Sequence, residues 1–205
     1  MNLNILILII SYLLGSISSG LFIGKIFYHT DIREHGSHNT GTTNAWRVLG
    51  PKAGIATFLF DFLKGAIAYS LAVWLNLDWN PFIFGLAAIL GHTYPVFTGF
   101  KGGKAVATSG GVAFAYNPLF LFFNFPLVFG IVLYLTSMVS VASMTAVASA
   151  FIISLFLQDW ILIVMTAFML IFIFYRHKDN IKRIKNGTES MIPWGLGYRR
   201  RKNKE

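Results

Sequence analysis

The chain contains no cysteine, and only 12% of its 205 residues are charged. The absence of cysteine excludes disulfide bonds and cysteine-ligated metal sites. The charged share is about half that of a typical soluble domain. Apolar residues make up 55% of the sequence, more than a single soluble core of this length buries. The composition therefore excludes an ordinary soluble domain and indicates a protein whose apolar surface is covered by lipid.

Positive charge is unevenly distributed along the chain. The formal net charge is +9, and ten of the 17 Lys and Arg residues lie from Arg176 onwards. Basic tails occur in nucleic-acid-binding proteins, but beside a membrane segment they are more typical of a cytoplasmic face in contact with anionic lipid. We therefore expect a membrane partner, no nucleic acid, and a basic cytoplasmic tail over residues 182–205.

Apolar runs predict the membrane passes, each of which needs about 17–25 residues. Six runs qualify or nearly do: Leu3–Phe27, Ala53–Leu75, Pro81–Phe97, Pro118–Thr136, Met138–Leu157 and Trp160–Tyr175. Because Lys104 and Arg176 should both be cytoplasmic, an even number of passes joins them, and the short Val106–Tyr116 run becomes a seventh. The prediction is an all-α integral membrane protein of about seven transmembrane helices, forming one domain over residues 1–205, with its N-terminus outside and its C-terminus cytoplasmic.

The first polar cluster, residues 31–47, is dense in Gly, hydroxyl and amide side chains. Such a loop is typical of a backbone nest that binds phosphate, and equally of an ordinary capped turn. A helix beginning at Thr43 or Asn44 would point its N-terminus at an anion, and Arg47 would add a bidentate charge. The loop has neither a Walker A nor a GxGxxG pattern, so nucleotide binding is not supported.

The second polar cluster, residues 91–108, and the third, residues 175–181, are also predicted to be cytoplasmic. In the second cluster, Gly102 and Gly103 permit close backbone approach to a ligand, and Lys104 adds charge beside them. In the third cluster, a continuous helix would place Arg176 and Asn180 on one face. The alternative for the second cluster is positive-inside lysines beside a flexible turn, and the alternative for the third is a basic stop signal.

Charged and hydroxyl side chains within the spans have simpler interpretations. Asp61 and Lys64, three residues apart on the second span, are best interpreted as a structural ion pair. Ser140 and Ser143 lie one helical turn apart and are typical of bonds to carbonyls or across helices. The five histidines lack HExxH spacing, and no carboxylate–histidine pair is evident. Together the three clusters indicate a phosphate-handling site without metal or cofactor.

The order of the three clusters closely resembles the bacterial acyl-phosphate:glycerol-3-phosphate acyltransferases, the PlsY-type membrane enzymes. Residues 36–44 are similar to the family pattern GSGNxGATN, with His38 in place of a Gly and Thr42 in place of an Ala. The run GHTYPVFTGFKGGKAVAT resembles the second motif, with Ala105 in place of a Gly, and RHKDNI resembles the third. The resemblance covers nearly the whole chain.

The resemblance implies acyl transfer from acyl phosphate to the sn-1 hydroxyl of glycerol 3-phosphate, on the cytoplasmic side of a bacterial cell membrane. It implies lysophosphatidic acid and phosphate as products, in the first acylation of phospholipid synthesis. On this basis the loop 37–44 is expected to hold the acyl phosphate. The expected catalytic residues are Ser37, His92, Lys104, Ser143, His177 and Asn180. The expected substrate-binding residues are Asn39, Gly41, Thr43, Asn44, Arg47, Gly102, Gly103 and Arg176.

Three other functions compete with this one. An acyl-CoA-dependent acyltransferase often carries an HxxxxD motif, which is absent from this sequence; His29 is followed five residues later by Glu34. A phosphate transporter would fit several short-looped spans with an intramembrane Asp61–Lys64 pair, but no inverted repeat is visible. A passive lipid-interacting protein would leave the three polar clusters unexplained.

Overall fold

The computed structural model describes residues 2–203, except for the side chain of Leu121. Every regular element in this range is helical. The chain divides into two compact units, whose described parts are residues 2–118 and 119–203. The prediction of a single domain stays a prediction, and each unit is described by itself.

Eleven α-helices are described in residues 2–203. The first unit contains α1 (Leu3–Ser16), α2 (Ser19–Phe27), α3 (Thr42–Leu49), α4 (Pro51–Trp74), α5 (Pro81–Thr93) and α6 (Val106–Tyr116), with short 3-10 turns at Ile32–Glu34 and Val96–Thr98. From Pro118 the chain forms α7 (Pro118–Thr136), α8 (Val139–Leu157), α9 (Trp160–Arg176), α10 (Lys178–Lys185) and α11 (Leu196–Lys202).

The composition of the first apolar run suggested a single span, but the run is not one straight helix. It forms α1 and α2, which meet at a bend of 50°. Ile17 at the break has extended backbone, so its carbonyl lacks a helical partner. The Nζ of Lys64 donates to that carbonyl at 3.0 Å. The buried ammonium of Lys64 thus satisfies a backbone carbonyl that the break leaves without a helical partner inside an apolar segment.

Small residues bring the long helices of the first unit together. A Cβ on Gly65 of α4 would clash with the Thr108 carbonyl of α6, and one on Gly15 of α1 would clash with the Ala88 carbonyl of α5. Neither helix pair could approach so closely with a larger side chain at these positions. Close approach of this kind is how helices associate in a membrane, where apolar burial gives little driving force.

In the second unit the chain bends where the third polar cluster begins. α9 ends at Arg176 and α10 begins at Lys178, and the two helices meet at 59°. The expectation of a helix running continuously through residues 175–181 is therefore wrong. The ring of His177 lies at the bend, and its Nδ1 is 2.8 Å from the Ile173 carbonyl. The ring bonds back to the last turn of α9 at the point where the chain changes direction.

Four helical segments among the described residues are long and apolar enough to cross a membrane: Pro51–Trp74, Pro81–Thr98, Pro118–Thr136 and Val139–Leu157. Counting each bent pair as one span raises the number to six. The 11 residues of α6 would rise only about 16 Å at 1.5 Å per residue, about half the hydrocarbon thickness. The all-α membrane architecture is confirmed, while seven spans and the sidedness of the termini stay predictions.

Candidate active site

The predicted site residues occur in both units. The first unit holds the loop before α3 and the Gly102–Gly103 turn before α6. It also holds a buried polar cluster around Asp61 of α4, formed with Ser19, Lys64 and His92. The second unit holds Ser143 on α8 and the residues of the α9–α10 bend.

Asn44 organises the first polar cluster from its centre. Its side chain is 1% exposed, and its Oδ1 accepts from the Ser37 N–H at 2.8 Å. Its Nδ2 donates to the carbonyls of Ile32, His35 and Asn39 at 2.7, 3.1 and 2.9 Å. One buried amide therefore ties together both sides of the loop. α3 begins at Thr42, one or two residues before the predicted start.

The contacts within this loop bear on its expected role as a phosphate nest. The N–H of Ser37 is bonded to Asn44, and that of Gly41 donates to the Asn39 side chain at 2.9 Å. Both N–H groups thus have internal partners. Arg47 is exposed and Thr43 is partly exposed, so both remain accessible to a ligand. Direct substrate contact by Asn44 or Asn39 stays a prediction, although the structure already engages their amides in holding the loop.

His38 and Ala105, which stand where the resembled sequence pattern has glycines, both have positive φ. The values are 57° and 60°, a region that favours Gly and that His tolerates better than Ala. The Nδ1 of His38 lies 2.8 Å from the Arg33 carbonyl, which helps to hold this conformation. Ala105 immediately precedes α6 and is 1% exposed.

Asp31 anchors the beginning of the same loop. Its carboxylate accepts from the Arg33 Nε and Nη2 at 3.0 and 2.7 Å, and Lys25 Nζ lies 3.4 Å away. The hydrogen bonds from Arg33 hold the pKa of Asp31 below its ordinary value. These cations therefore have a partner within the loop.

The Gly102–Gly103 turn packs directly against the end of α5. The N–H groups of Gly102 and Gly103 donate to the carbonyls of Thr93 and His92 at 3.2 and 3.1 Å. A Cβ on Gly103 would clash with the Nε2 of His92, so any larger residue here would displace the ring. The turn leads through Lys104, which is partly exposed, into the first turn of α6. A lysine followed by the N-terminus of a helix is an arrangement that favours a bound anion.

His92 also touches a carboxylate that the sequence did not associate with it. The Oδ1 of Asp61 accepts from Ser19 Oγ at 2.9 Å and lies 2.9 Å from Lys64 Nζ and 3.5 Å from His92 Nδ1. All four side chains are buried. The predicted Asp61–Lys64 pair is confirmed. The expectation of no carboxylate–histidine pair is wrong, because Asp61 and His92 are 31 positions apart and meet only through helix packing.

In the second unit, Glu189 joins the third cluster to α8. Its Oε1 accepts from Ser140 Oγ at 2.7 Å and Asn180 Nδ2 at 2.6 Å, and its Oε2 accepts from Arg183 Nε at 2.8 Å. Glu189 is absent from the residues that the sequence predicted. The available signal was a lone acid in a basic stretch, two residues after Gly187.

Hydrogen bonds and burial also define the environment of Glu189 and of the other predicted site residues in the second unit. Burial alone would raise the pKa of Glu189, but hydrogen bonds from Ser140, Asn180 and Arg183 outweigh burial, so its pKa lies below the ordinary value. Asn180 and His177 are buried, as is Ser143 one turn along α8 from Ser140. Arg176 is partly exposed. Because a carbonyl only accepts, His177 carries a proton on Nδ1 toward Ile173, which fixes its tautomer when the ring is neutral.

Within residues 2–203, no three His, Asp or Glu side chains are grouped so as to hold a metal ion. Three cations described above, Arg47, Lys104 and Arg176, are exposed or partly exposed and are suited to binding anionic oxygen.

Comparison with known proteins identifies the family. Residues 5–187 match the family model described as glycerol-3-phosphate acyltransferase. Glycerol-3-phosphate acyltransferases of Streptococcus pneumoniae strains Hungary19A-6 and G54 (serotype 19F) are each 51% identical over 206 aligned positions, covering 95% of this chain and 95% of the relative.

Two solved structures share the fold. They are crystal structures of PlsY (YgiH), an integral membrane glycerol 3-phosphate acyltransferase, in its glycerol 3-phosphate and lysophosphatidic acid forms. The TM-scores are 0.85 and 0.81, at 42% and 41% identity, over 92% of this chain and 94% of theirs. The chain belongs to the PlsY-type family of bacterial integral membrane glycerol-3-phosphate acyltransferases.

Proposed function

We propose that this protein transfers a fatty acyl group from acyl phosphate to the sn-1 hydroxyl of glycerol 3-phosphate. The products are lysophosphatidic acid and inorganic phosphate, as in the first acylation of phospholipid synthesis. Family membership supports the acceptor substrate. The observation in the structure that carries the proposal is the Gly102–Gly103 turn, which leads Lys104 to the N-terminus of α6.

That turn is suited to the phosphate of glycerol 3-phosphate. The first N–H groups of a helix lack intrahelical partners, and the helix dipole places partial positive charge there. The ammonium of Lys104 adds a full charge beside them, on a side chain that is partly exposed. We assign Gly102, Gly103 and Lys104 to this phosphate, with Arg47, Arg176, His177 and Asn180 as further groups for the same substrate.

The loop 37–44 is assigned to the acyl phosphate. Ser37 is exposed, and the Asn44 side chain holds the loop in shape through its hydrogen bonds to the loop backbone. The side chains of Asn39 and Thr43 complete the proposed subsite, together with the Gly41 N–H, which would exchange its bond to Asn39 for one to the phosphate. His92 and Ser143 are assigned to orienting groups near the reacting carbonyl. Both of their side chains are buried, which suits a site from which water is excluded.

The proposed chemistry needs no metal and no covalent intermediate on the protein. The sn-1 hydroxyl oxygen bonds to the acyl carbon, and the bond from that carbon to the phosphate oxygen breaks. The departing phosphate takes the hydroxyl proton, so atoms and charge balance. Acyl phosphate is already an activated donor, so the protein acts by orienting both substrates and stabilising the charge that develops.

The protein is proposed to lie in the bacterial cytoplasmic membrane with this site on the cytoplasmic side. The concentration of Lys and Arg beside the polar clusters supports that orientation. The transporter alternative loses its main support, because the Asp61–Lys64 pair is occupied by contacts with Ser19, Ile17 and His92 inside the first unit.

The test is phosphate release by the purified protein supplied with palmitoyl phosphate and glycerol 3-phosphate, with palmitoyl-CoA as a parallel donor. We expect release that requires both substrates, and no acylation from the CoA donor. Lys104→Ala should lower the rate about 10²–10³-fold, the cost of losing one donor to a developing charge. Acylation from palmitoyl-CoA alone would refute the donor assignment, and a Lys104→Ala rate near wild type would refute the site assignment.

A further inference from the structure

Asp61 has no role in the proposed reaction, yet Ser19 and Lys64 bond to its carboxylate and His92 faces it at 3.5 Å. It lies near the middle of α4, and its side chain is 1% exposed. A charge buried within a membrane segment is costly and usually marks a function or a paired site. Lys64 compensates the charge, and Ser19 adds a hydrogen bond. Neither contact explains why His92 also faces the same oxygen.

His92 connects Asp61 to the turn before Lys104. One edge of its ring, at Nδ1, lies 3.5 Å from Asp61 Oδ1. The opposite edge, at Nε2, packs so closely on Gly103 that a Cβ there would clash with it. The backbone of His92 holds the same glycine, because its carbonyl accepts from the Gly103 N–H at 3.1 Å. Ring and backbone together fix the position of Gly103, and Lys104 is the next residue.

We propose that Asp61 is a positioning residue: through His92, it holds the Gly102–Gly103 turn in the shape that presents Lys104 to the phosphate of glycerol 3-phosphate. This inference rests on the assignment of Lys104 to that phosphate in the proposed function. Asp61 itself contacts neither substrate. Its effect on the reaction passes through the orientation of one imidazole ring.

The physical basis is the two-fold ambiguity of a histidine ring. A carboxylate beside Nδ1 favours a proton on that nitrogen. It thereby fixes the ring orientation in which Nε2 faces Gly103. Without the carboxylate, the ring can rotate or exchange tautomer, and the glycine packed on its other edge loses a fixed surface. Gly102 and Gly103 are the residues least able to hold a conformation by themselves, so their turn depends on this support.

A simpler role for Asp61 is to balance the charge of Lys64, and a double variant separates the two. Asp61→Asn keeps the size of the side chain but leaves Lys64 unbalanced and the support of His92 weakened. Asp61→Asn combined with Lys64→Gln removes the unbalanced charge, keeps an N–H donor for the Ile17 carbonyl that Lys64 contacts, and still lacks the carboxylate beside His92. The matched control is Asp78→Asn, the same change at an exposed acid in the loop between α4 and α5.

The experiment measures KM for glycerol 3-phosphate and for the acyl donor in the four proteins, together with hydrogen–deuterium exchange in residues 99–105. We expect both Asp61 variants to raise KM for glycerol 3-phosphate about 10-fold or more, with donor KM changed less than about 2-fold. Exchange in residues 99–105 should rise in both variants, while Asp78→Asn matches wild type in every measurement.

Several results would overturn the proposal. They are an unchanged KM in Asp61→Asn, recovery of wild-type KM in the double variant, and equal changes for both substrates. Failure of the double variant to fold would also count against it, because a positioning role leaves the fold intact once the charge is balanced and the Ile17 carbonyl keeps a donor. Equilibrium dialysis of glycerol 3-phosphate without donor separates this from the proposed function. If wild type binds glycerol 3-phosphate but does not use acyl phosphate, the donor assignment fails, and the comparison of the Asp61 variants still decides their role.

Discussion

Replacing Asn44 tests whether the first polar cluster depends on one buried amide. Its side chain makes four hydrogen bonds to the backbone of Ile32, Ser37, His35 and Asn39. At about 0.5–1.5 kcal/mol net for each bond, Asn44→Ala should destabilise the protein by about 2–4 kcal/mol, after allowing for water reaching the exposed part of the loop. Asn44→Asp should be worse, because a buried carboxylate would face three carbonyl oxygens.

Stability would be measured as thermal unfolding of the purified protein in detergent, with limited proteolysis to detect cleavage between residues 35 and 41. The control is Asn80→Ala, which removes an exposed Asn whose side chain makes one capping bond to the Phe82 N–H at 2.9 Å. That change should cost about 1 kcal/mol. If Asn44→Ala were as stable as the control, with an uncleaved loop and lost activity, Asn44 would act on substrate and its role as the organiser of the loop would be refuted.

Three further predictions concern other positions. Glu189→Gln should destabilise the second unit. Because the pKa of Glu189 is lowered, the ionised carboxylate stabilises the fold above the ordinary pKa of 4.5, and this stabilisation is lost as the pH falls below that value. Unfolding midpoints of variant and wild type, measured from about pH 7 down to about pH 3, should therefore converge at the acid end. Ala105→Gly should stabilise the protein by about 0.5–1 kcal/mol, since relief of a positive φ, worth about 1–2 kcal/mol, exceeds the loss of one buried methyl. A lower thermal unfolding midpoint would contradict this, and His38→Gly should stabilise the protein less than Ala105→Gly does. Gly103→Ala should raise KM for glycerol 3-phosphate by displacing the His92 ring, and adding His92→Ala should cause little further loss in a double-mutant cycle; strictly additive effects would show that the two residues act separately.

The membrane architecture could be predicted from the sequence because its causes are local. Apolar runs of sufficient length form helices in lipid, where every backbone polar group needs a partner within the segment. The Asp61–Lys64 pair follows from a spacing of three on one helix. The three polar clusters were recognisable from composition, and the order of their motifs was sufficient to indicate the family.

The bends were less accessible to sequence reasoning. The first apolar run has the composition of one continuous helix, but α1 and α2 separate at Ile17. The carbonyl of Ile17 accepts a hydrogen bond from Lys64 of α4. Likewise, nothing in the spacing of residues 175–181 revealed the bend at His177. A break in a membrane helix is tolerated only where a neighbour satisfies the opened backbone groups, and the identity of that neighbour is a tertiary property.

The sequence by itself determined that this is a helical membrane protein with three polar clusters typical of its family. Only the tertiary structure decided which side chains work together: Asp61 with His92, 31 positions apart, and Glu189 with Ser140, 49 positions apart. It also showed that Asn44 holds its loop from within. The physical reason is that periodicity and charge patterns act over a few residues, whereas a buried polar group is satisfied by whichever partner helix packing brings beside it.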